Sequence, residues 1–268
     1  MRYLLHAMIV AALCLTLQAE TLVFGVVPQQ SPLKLLKVWQ PFAAYLEQQT
    51  GIQVVLKTEH SIPAFEEVLY AGGYDVAYMN PYHYVVANAK QGYRAAARAD
   101  KNIVGILVGH VGVPVEDFSS LRGKTFLFPA PYAFAATLLT KYELLKFFGL
   151  NVDEACTVRY VNSHDSVYKG IARGVGDIGG GIERTYNNLS DLRSKAQLTV
   201  LYRTRAYPSH PFALKPTLSD KTRRKIVDAI LSMPVEILAA MSMKRIIPVD
   251  DAAYDTVRDI ADELSLPK

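Results

Sequence analysis

The fold is decided by residues 22–79, LVFGVVPQQSPLKLLKVWQPFAAYLEQQTGIQVVLKTEHSIPAFEEVLYAGGYDVAYM, because their order of elements returns at residues 124–181. Each stretch predicts a strand, a proline-containing turn, a long helix, a second strand, a short helix and a third strand. The two stretches keep the same phase, since Asp75 in the first corresponds to Asp177 in the second. Two similar α/β units in one chain predict two lobes that face each other across a ligand-binding cleft.

The sequence also places the helices of the two units. The long helices are predicted over residues 33–49 and 132–148, and the short helices over residues 63–71 and 164–173. The long helix follows a Pro-containing turn in both units, which suits the first helical position. The sequence therefore predicts a class of α/β protein in which each lobe is a mixed sheet flanked by helices.

The composition limits the kinds of molecule that the protein is expected to bind. The chain has 268 residues, half of them hydrophobic, and a formal net charge of only +4. Its Lys and Arg residues are scattered, whereas a nucleic-acid binder needs a dense basic stripe. The composition therefore favours a small anionic ligand and no nucleic acid.

The N-terminus has the pattern of a secretory signal at residues 1–19. An apolar run at residues 4–17 is shorter than a membrane span and ends before Leu-Gln-Ala, which predicts cleavage after Ala19 and export to the periplasm. An uncleaved anchor is the alternative. Cys14 follows Leu13, where a lipoprotein would have a small residue, so lipidation is not expected.

Two apolar strands suggest how the lobes are joined. Residues 102–112 are predicted to cross from the first lobe to the second, and residues 198–202 to cross back. The first lobe is then discontinuous, at residues 20–102 and 205–268, and the second lobe comprises residues 103–204. Short crossings between lobes are natural hinges. After the return crossing the chain is predicted to be mostly helical, with helices over residues 220–233, 234–243 and 250–264.

Polar residues gather where the predicted strands end. Tyr78, Asn80 and Tyr82 lie where the third strand of the first unit gives way to a helix. Ligands of open α/β sheets bind beyond the carboxyl ends of the strands, near helix N-termini. Asn80 is equally suited to cap the helix, but the tyrosines supply aromatic walls and hydroxyl groups for a polar ligand.

The turns before the two long helices supply further candidates for ligand binding. They are Gln30 and Ser31 in the first unit, and Tyr132, Ala133 and Phe134 in the second. The free N–H groups and the dipole of a helix N-terminus attract anions. Two such ends that converge on one cleft predict an anion site.

The turn before the short helix of the second unit completes the candidates. His164, Asp165 and Ser166 lie at this helix start, and Arg184 lies just beyond the last strand of the unit. His164 and Arg184 are candidate donors to an anion. The alternatives are a capping role for the turn and a solvated position for the arginine.

Nothing in the sequence predicts a catalytic residue, a cofactor or a metal site. The histidines are dispersed, without a pair at i and i+4 on a helix. An enzyme on this fold is the weaker alternative, and its general base would be His83, His164 or Asp165. Cys156 is the single cysteine after cleavage, and its place in a predicted strand indicates a buried, inert thiol.

Several of these segments together resemble one family. The opening LVFGVVPQQSP, then YDVAYMNPYHY, GKTFLFPAP and NSHDSVYKGIARG, resemble the phosphate/phosphite/phosphonate-type substrate-binding proteins of ABC transporters. The resemblance covers about residues 21–220. It implies a type II periplasmic-binding fold, whose two lobes close on one small oxyanion, and a monomer that docks on a permease in the inner membrane.

One turn departs from the family pattern. Family members typically have a Ser/Thr-rich turn at the second-lobe helix start, where this chain reads YAFAA at residues 132–136. The backbone N–H groups remain and the hydroxyl groups do not. The resemblance therefore implies a phosphonate-like oxyanion held by N–H groups, or else a less charged, larger or partly aromatic non-phosphorus ligand. A sensing module of the same fold, acting on a membrane histidine kinase, is the alternative to transport.

Overall fold

The computed structural model of the protein describes residues 21–112 and 117–267, so the signal sequence predicted at residues 1–19 lies outside the described residues. The described strands form two sheets, with helices packed on both. Among the described residues, every helix is too short or too polar to cross a membrane.

The strands, in chain order, are β1 (Thr21–Val26), β2 (Gln53–Lys57), β3 (Val76–Tyr78), β4 (Arg94–Ala99), β5 (Ile103–His110), β6 (Thr125–Phe128), β7 (Thr157–Tyr160), β8 (Ile178–Ile182), β9 (Leu198–Tyr207), β10 (Pro211–Leu214) and β11 (Ile246–Pro248). The α-helices are α1 (Pro32–Thr50), α2 (Ile62–Tyr70), α3 (Pro81–Gln91), α4 (Leu139–Phe148), α5 (Val152–Ala155), α6 (His164–Ala172), α7 (Glu183–Asn187), α8 (Leu192–Ala196), α9 (Asp220–Leu231), α10 (Val235–Ala240) and α11 (Asp255–Glu263). A π-helical turn, Phe134–Leu138, leads into α4, and short 3-10 helices lie at Phe118–Leu121 and Asp251–Tyr254.

The two sheets share one plan. The first sheet has the order β2-β1-β3-β10-β4-β11 and the second has the order β7-β6-β8-β5-β9. In each sheet three strands of one unit run parallel, and the next strand is antiparallel to them. The predicted two-lobed α/β architecture is confirmed.

The repeat extends to single hydrogen bonds. The carboxylate of Asp75 accepts from the N–H of Val23 at 2.8 Å, and the carboxylate of Asp177 accepts from the N–H of Thr125 at 2.7 Å. Each aspartate thereby ties the beginning of the third strand to the first strand of its own unit. Ser61 and Ser163, also one repeat apart, accept from backbone N–H groups at the starts of α2 and α6.

Helix α1 shows how sequence builds the first lobe. Pro32 occupies its first turn, and Gly51 ends it in the left-handed conformation that glycine adopts without strain. Its buried residues recur three and four positions apart, so that one face packs on the sheet. Trp39 and Phe42 on this face contact Phe24 of β1.

The chain passes between the sheets at residues 100–102 and 208–210, which join β4 to β5 and β9 to β10. The strand predicted to cross at residues 102–112 is β5, and it lies wholly within the second sheet. The predicted lobe boundary at residue 205 falls inside β9, which pairs with β5 as far as Tyr207.

The prediction of a mostly helical C-terminal part was incomplete. Strand β10 lies in the middle of the first sheet and β11 at its edge. All four residues of β10 are buried, so the strand lacks the polar–apolar alternation that would have revealed it. Strand β4, in the N-terminal part of the first lobe, was also not predicted. It reads RAAARA, and its alanines favour helix over strand when tertiary contacts are ignored.

Candidate functional site

A narrow cavity with room for about one water molecule lies between the two lobes. It is bounded by β5 and β8 of the second sheet, by the turn after β1, by the return crossing at His210 and by the starts of four helices. Its lining has no Asp, Glu, Lys or Arg, so its polar groups are backbone amides, two carboxamides and two histidines. The lining residues are Val27, Gln29, Ile62, Asn80, Ile103, Ala133, Phe134, Ala135, Ala136, His164, Ile182 and His210.

The helix start at Phe134 supplies the backbone donors of the cavity. The first hydrogen bond of the helix is made by the N–H of Thr137, which donates to the carbonyl of Ala133 at 2.8 Å. The N–H groups of Phe134, Ala135 and Ala136 come before it and have no partner within the helix. Three free N–H groups at the positive end of a helix form a cradle for an anion without any hydroxyl group.

Two glycines allow this helix start to lie directly on the second sheet. A Cβ on Gly105 would lie 2.2 Å from the carbonyl oxygen of Ala135, and a Cβ on Gly180 would lie 2.1 Å from that of Ala136. Real atoms do not approach so closely. Glycines on β5 and β8 therefore set the depth of the cradle.

Replacing Gly105 by Ala should push the helix start outward. The added methyl group meets backbone, which cannot move aside locally, so we expect a loss of about 1–3 kcal/mol of stability and weaker ligand binding. Gly109→Ala on the same strand is the control, since its Cβ would meet only the end of the Leu201 side chain at 2.7 Å. Urea unfolding and calorimetric titration of both variants measure the difference. Equal effects would show that the glycine does not position the cradle.

His164 faces the cavity with an unused nitrogen. Its side chain is 2% exposed, and its Nδ1 has no hydrogen-bond partner among the described residues. Burial, with a smaller contribution from Arg184, lowers the pKa of His164 to about 3. The ring is therefore neutral near pH 7 and can offer one N–H to a ligand. Its backbone N–H donates across the cleft to the carbonyl of Gln29 at 3.2 Å.

Asn80 contributes to both lobes. Its Oδ1 accepts from the N–H of His83 at 2.8 Å and caps α3, and its Nδ2 donates to the carbonyl of Tyr132 in the second lobe at 3.1 Å. Asn80 also lines the cavity. Asn80 therefore caps α3 and is also a residue of the site.

Four side chains form a closed ring of contacts beside the cavity. Arg184 donates to the hydroxyl of Tyr78 at 2.9 Å and to Oε1 of Gln29 at 3.1 Å. Nε2 of Gln29 lies 2.8 Å from Nε2 of His210, whose ring stacks on Tyr78 with 5.2 Å between centroids. Arg184 belongs to the second lobe and the other three to the first lobe or its crossing, so the ring closes the cleft.

The ring also fixes a protonation state. Arg184 can only donate, so the carboxamide of Gln29 must turn its oxygen to Arg184 and its NH₂ group to His210. Nε2 of His210 must then accept, which requires a neutral ring with its proton on Nδ1. Burial, followed by Arg184, lowers the pKa of His210 well below its usual value, in agreement with this assignment.

Eight of the sequence-based candidates lie outside the cavity lining. Tyr78 and Arg184 belong to the ring, Tyr132 packs on Tyr82 with 5.5 Å between ring centroids, and five lie elsewhere. Gln30 lies beside the ring on its outer side, and Ser31 is exposed at the start of α1. The hydroxyl of Tyr82 donates to the carbonyl of Pro267, near the C-terminus. Ser166 is exposed, with its hydroxyl 2.9 Å from that of Ser163.

Asp165 is the fifth of these candidates, and it is only partly exposed. Its Oδ1 is buried without a partner among the described residues, and burial raises the pKa of its carboxyl group. Lys34 and Lys169 oppose this shift electrostatically. The carboxyl group does not line the cavity between the lobes.

The structure adds two site residues that the sequence did not reveal, Gln29 and His210. Gln29 is adjacent to the candidate Gln30, and a shift of one residue at the end of a strand changes the face on which a side chain lies. His210 lies in the return crossing, which the sequence placed earlier in the chain. Its role depends on contacts made far away in sequence.

The buried pair of His83 and Glu66 is separate from the cavity. Nε2 of His83 lies 2.9 Å from Oε1 of Glu66, and His83 is completely buried. Neither residue lines the cavity, so the pair has no access to a ligand there. Within residues 21–112 and 117–267, no group of three His, Cys, Asp or Glu side chains is placed to hold a metal ion.

The family to which this arrangement belongs is given by comparison with known proteins. Residues 24–254 match the sequence profile of the family described as "ABC transporter, phosphonate, periplasmic substrate-binding protein". The chain belongs to this family. The two-lobed fold and the transport interpretation made from the sequence are thereby confirmed, and nothing in the family description supports the alternative of a sensing module.

Individual members of the phosphonate-binding family are only distantly similar in sequence. The phosphate-import protein PhnD of Mycolicibacterium smegmatis is 23% identical over 286 residues, which cover 91% of this chain and 85% of the relative. PhnD1 of Prochlorococcus marinus, solved in complex with methylphosphonate, has a TM-score of 0.86 at 18% identity, over 92% of this chain and 99% of that one. A binding protein of an ABC phosphonate transporter from Pseudomonas aeruginosa has a TM-score of 0.82 at 17% identity, over 91% and 86%. At these identities the solved structures establish the fold.

Proposed function

We propose that this protein binds a small phosphonate-, phosphite- or phosphate-like oxyanion between its lobes and delivers it to an ABC permease of the inner membrane. The observation that carries the proposal is the helix start at Phe134, where three residues whose N–H groups have no partner within the helix line the cavity. Neutral donors from His164 and Asn80 surround the same space. The absence of carboxylates from the cavity lining favours an anion over a cation.

The side chains that meet across the cleft indicate how binding is communicated. Arg184, Asn80 and the N–H of His164 each make a hydrogen bond between the lobes. A ligand that contacts both lobes adds to these bonds and stabilises the closed arrangement. The permease then distinguishes loaded from empty protein by the relative position of the lobes. A monomer suffices for this action, and no step of it requires catalysis or a cofactor.

The first experiment is a thermal-shift screen of the exported protein against phosphate, phosphite, methylphosphonate, methanesulfonate and neutral aromatic compounds. A ligand at 100 times its dissociation constant adds about 2.7 kcal/mol of stability, which raises the melting temperature by several degrees. We expect a rise with at least one phosphorus oxyanion. A rise only with a neutral or aromatic compound would reject the oxyanion proposal in favour of the non-phosphorus ligand.

The same preparation tests two further proposals. If the protein is expressed as the full chain and purified from the periplasm, its mass should correspond to a chain that begins at Glu20, without a lipid. Limited proteolysis should cut at the crossings near residues 100–102 and 208–210 more slowly when ligand is bound, because closure protects them.

A further inference from the structure

The ring of Gln29, Tyr78, Arg184 and His210 separates the cavity from a second space between the lobes. This outer chamber measures about 660 Å³, including its open mouth. Val27 and Gln29 line both spaces, so the thickness of one side chain divides them. A rotation of the Gln29 side chain would join the cavity to the chamber.

The outer chamber is cationic. Its only charged lining residues are Lys34 and Arg184, and its other polar groups are carboxamides and hydroxyls. Trp39 and Tyr78 form an aromatic wall. Lys34 interacts electrostatically with Asp165, but that carboxylate does not line the chamber.

Neither cation has a carboxylate partner. Arg184 donates only to neutral oxygens, those of Tyr78 and Gln29, and Lys34 donates to the carbonyl of Asn188 at 3.0 Å. The neighbouring carboxylate of Glu183 lies 3.3 Å from Lys101 and 3.4 Å from Arg203, on the far side. In the part of the chain that the structure describes, no acidic oxygen lies within ion-pair distance of Lys34 or Arg184.

We propose that the ligand has a second acidic group, a carboxylate or a second phosphoryl group, which binds Arg184 in the outer chamber. This inference rests on the proposed oxyanion site and names the class of its ligand, an oxyanion with an anionic substituent. The substituent would displace Gln29 and give the guanidinium group the planar pair of charged acceptors that suits it. The same chamber would repel a cationic substituent.

The test compares three phosphonates of similar size by calorimetric titration: phosphonoacetate, ethylphosphonate and 2-aminoethylphosphonate. We expect phosphonoacetate to bind at least about tenfold more tightly than ethylphosphonate, and the amine to bind most weakly, because hydrogen bonds between ionised groups are markedly stronger than neutral ones. In Arg184→Gln the ratio of the first two dissociation constants should fall to about one.

Control variants separate this effect from a general loss of binding. Arg203→Gln removes an exposed arginine of the second lobe that pairs with Glu183, and it should keep the wild-type ratio. If Arg184→Gln does not fold, Lys34→Gln should still reduce the ratio. A wild-type ratio within twofold of one, or a ratio unchanged in Arg184→Gln, would overturn the inference. If alkylphosphonates bind without that preference, only the second acidic group is rejected; if no oxyanion binds, the proposed function fails as well.

Discussion

Phe134→Pro should bind an oxyanion about 10- to 100-fold more weakly than Phe134→Ala. Phe134 is the first residue of its helix, so proline removes an N–H of the cradle without breaking a bond within the helix. Ala133 before it has φ −68° and ψ 100°, outside the helical region, as a residue before proline prefers. A hydrogen bond between an N–H group and an anion contributes about 1.5–3 kcal/mol, which gives the expected ratio.

The alanine variant is the control for the loss of the Phe134 side chain. Phe134 is buried and packs against Tyr207, so both variants should lose about 3–5 kcal/mol of stability. Urea unfolding should show that they are equally stable, while calorimetry with methylphosphonate or phosphite should separate them. Equal affinities would mean that the N–H of Phe134 does not contact the ligand, and the cradle would have to be placed elsewhere.

Acidification from pH 7 to pH 5 should destabilise the protein. Burial lowers the pKa of His164 to about 3, whereas an unfolded histidine has a pKa near 6.5. The unfolded state therefore binds more protons between these values, and stability present above pH 6.5 is lost as the pH falls. At pH 5 the loss from His164 is about 2 kcal/mol. The pKa of His210 is also lowered by burial, so its contribution has the same sign.

Urea unfolding at both pH values measures this loss. The double variant His164→Asn and His210→Asn should reduce the pH dependence, whereas His60→Asn, at an exposed position, should leave it unchanged. Asp165 acts in the opposite direction because burial raises the pKa of its carboxyl group. A double variant that keeps the full wild-type pH dependence would contradict this assignment.

The repeat was readable from the sequence because the same residue types return at one fixed offset. Asp75 and Asp177 precede the third strands of the two units, Ser61 and Ser163 cap helices, and each pair makes equivalent hydrogen bonds in the structure. Helix α1, predicted over residues 33–49 after a proline-containing turn, was placed to within one residue at each end. The serine caps and the helix ends depend on neighbours in sequence, whereas each aspartate bonds to a residue 52 positions away and was found only because it repeats.

The site was only partly readable, because its parts come from distant segments. Tyr78, Asn80 and His164 were found at strand ends and helix starts, where ligands are expected. Gln29 and His210 are placed by a ring of contacts that spans both lobes. The strand that carries the chain into His210, β9, is longer than predicted, and β10 after it was not predicted at all.

The return crossing is both a joint and part of the site. Ser209 donates to the carbonyl of Ala99 at 3.0 Å, which ties the two crossings to each other, and the next residue is His210 of the ring. We expect two connections bound together in this way to act as one hinge. The protein should then behave as a switch with two positions rather than as a pair of lobes that drift independently. A permease that recognises both lobes would receive an all-or-none signal. Mutations around Ser209 could change the ligand concentration at which this signal changes, without altering the contacts to the ligand.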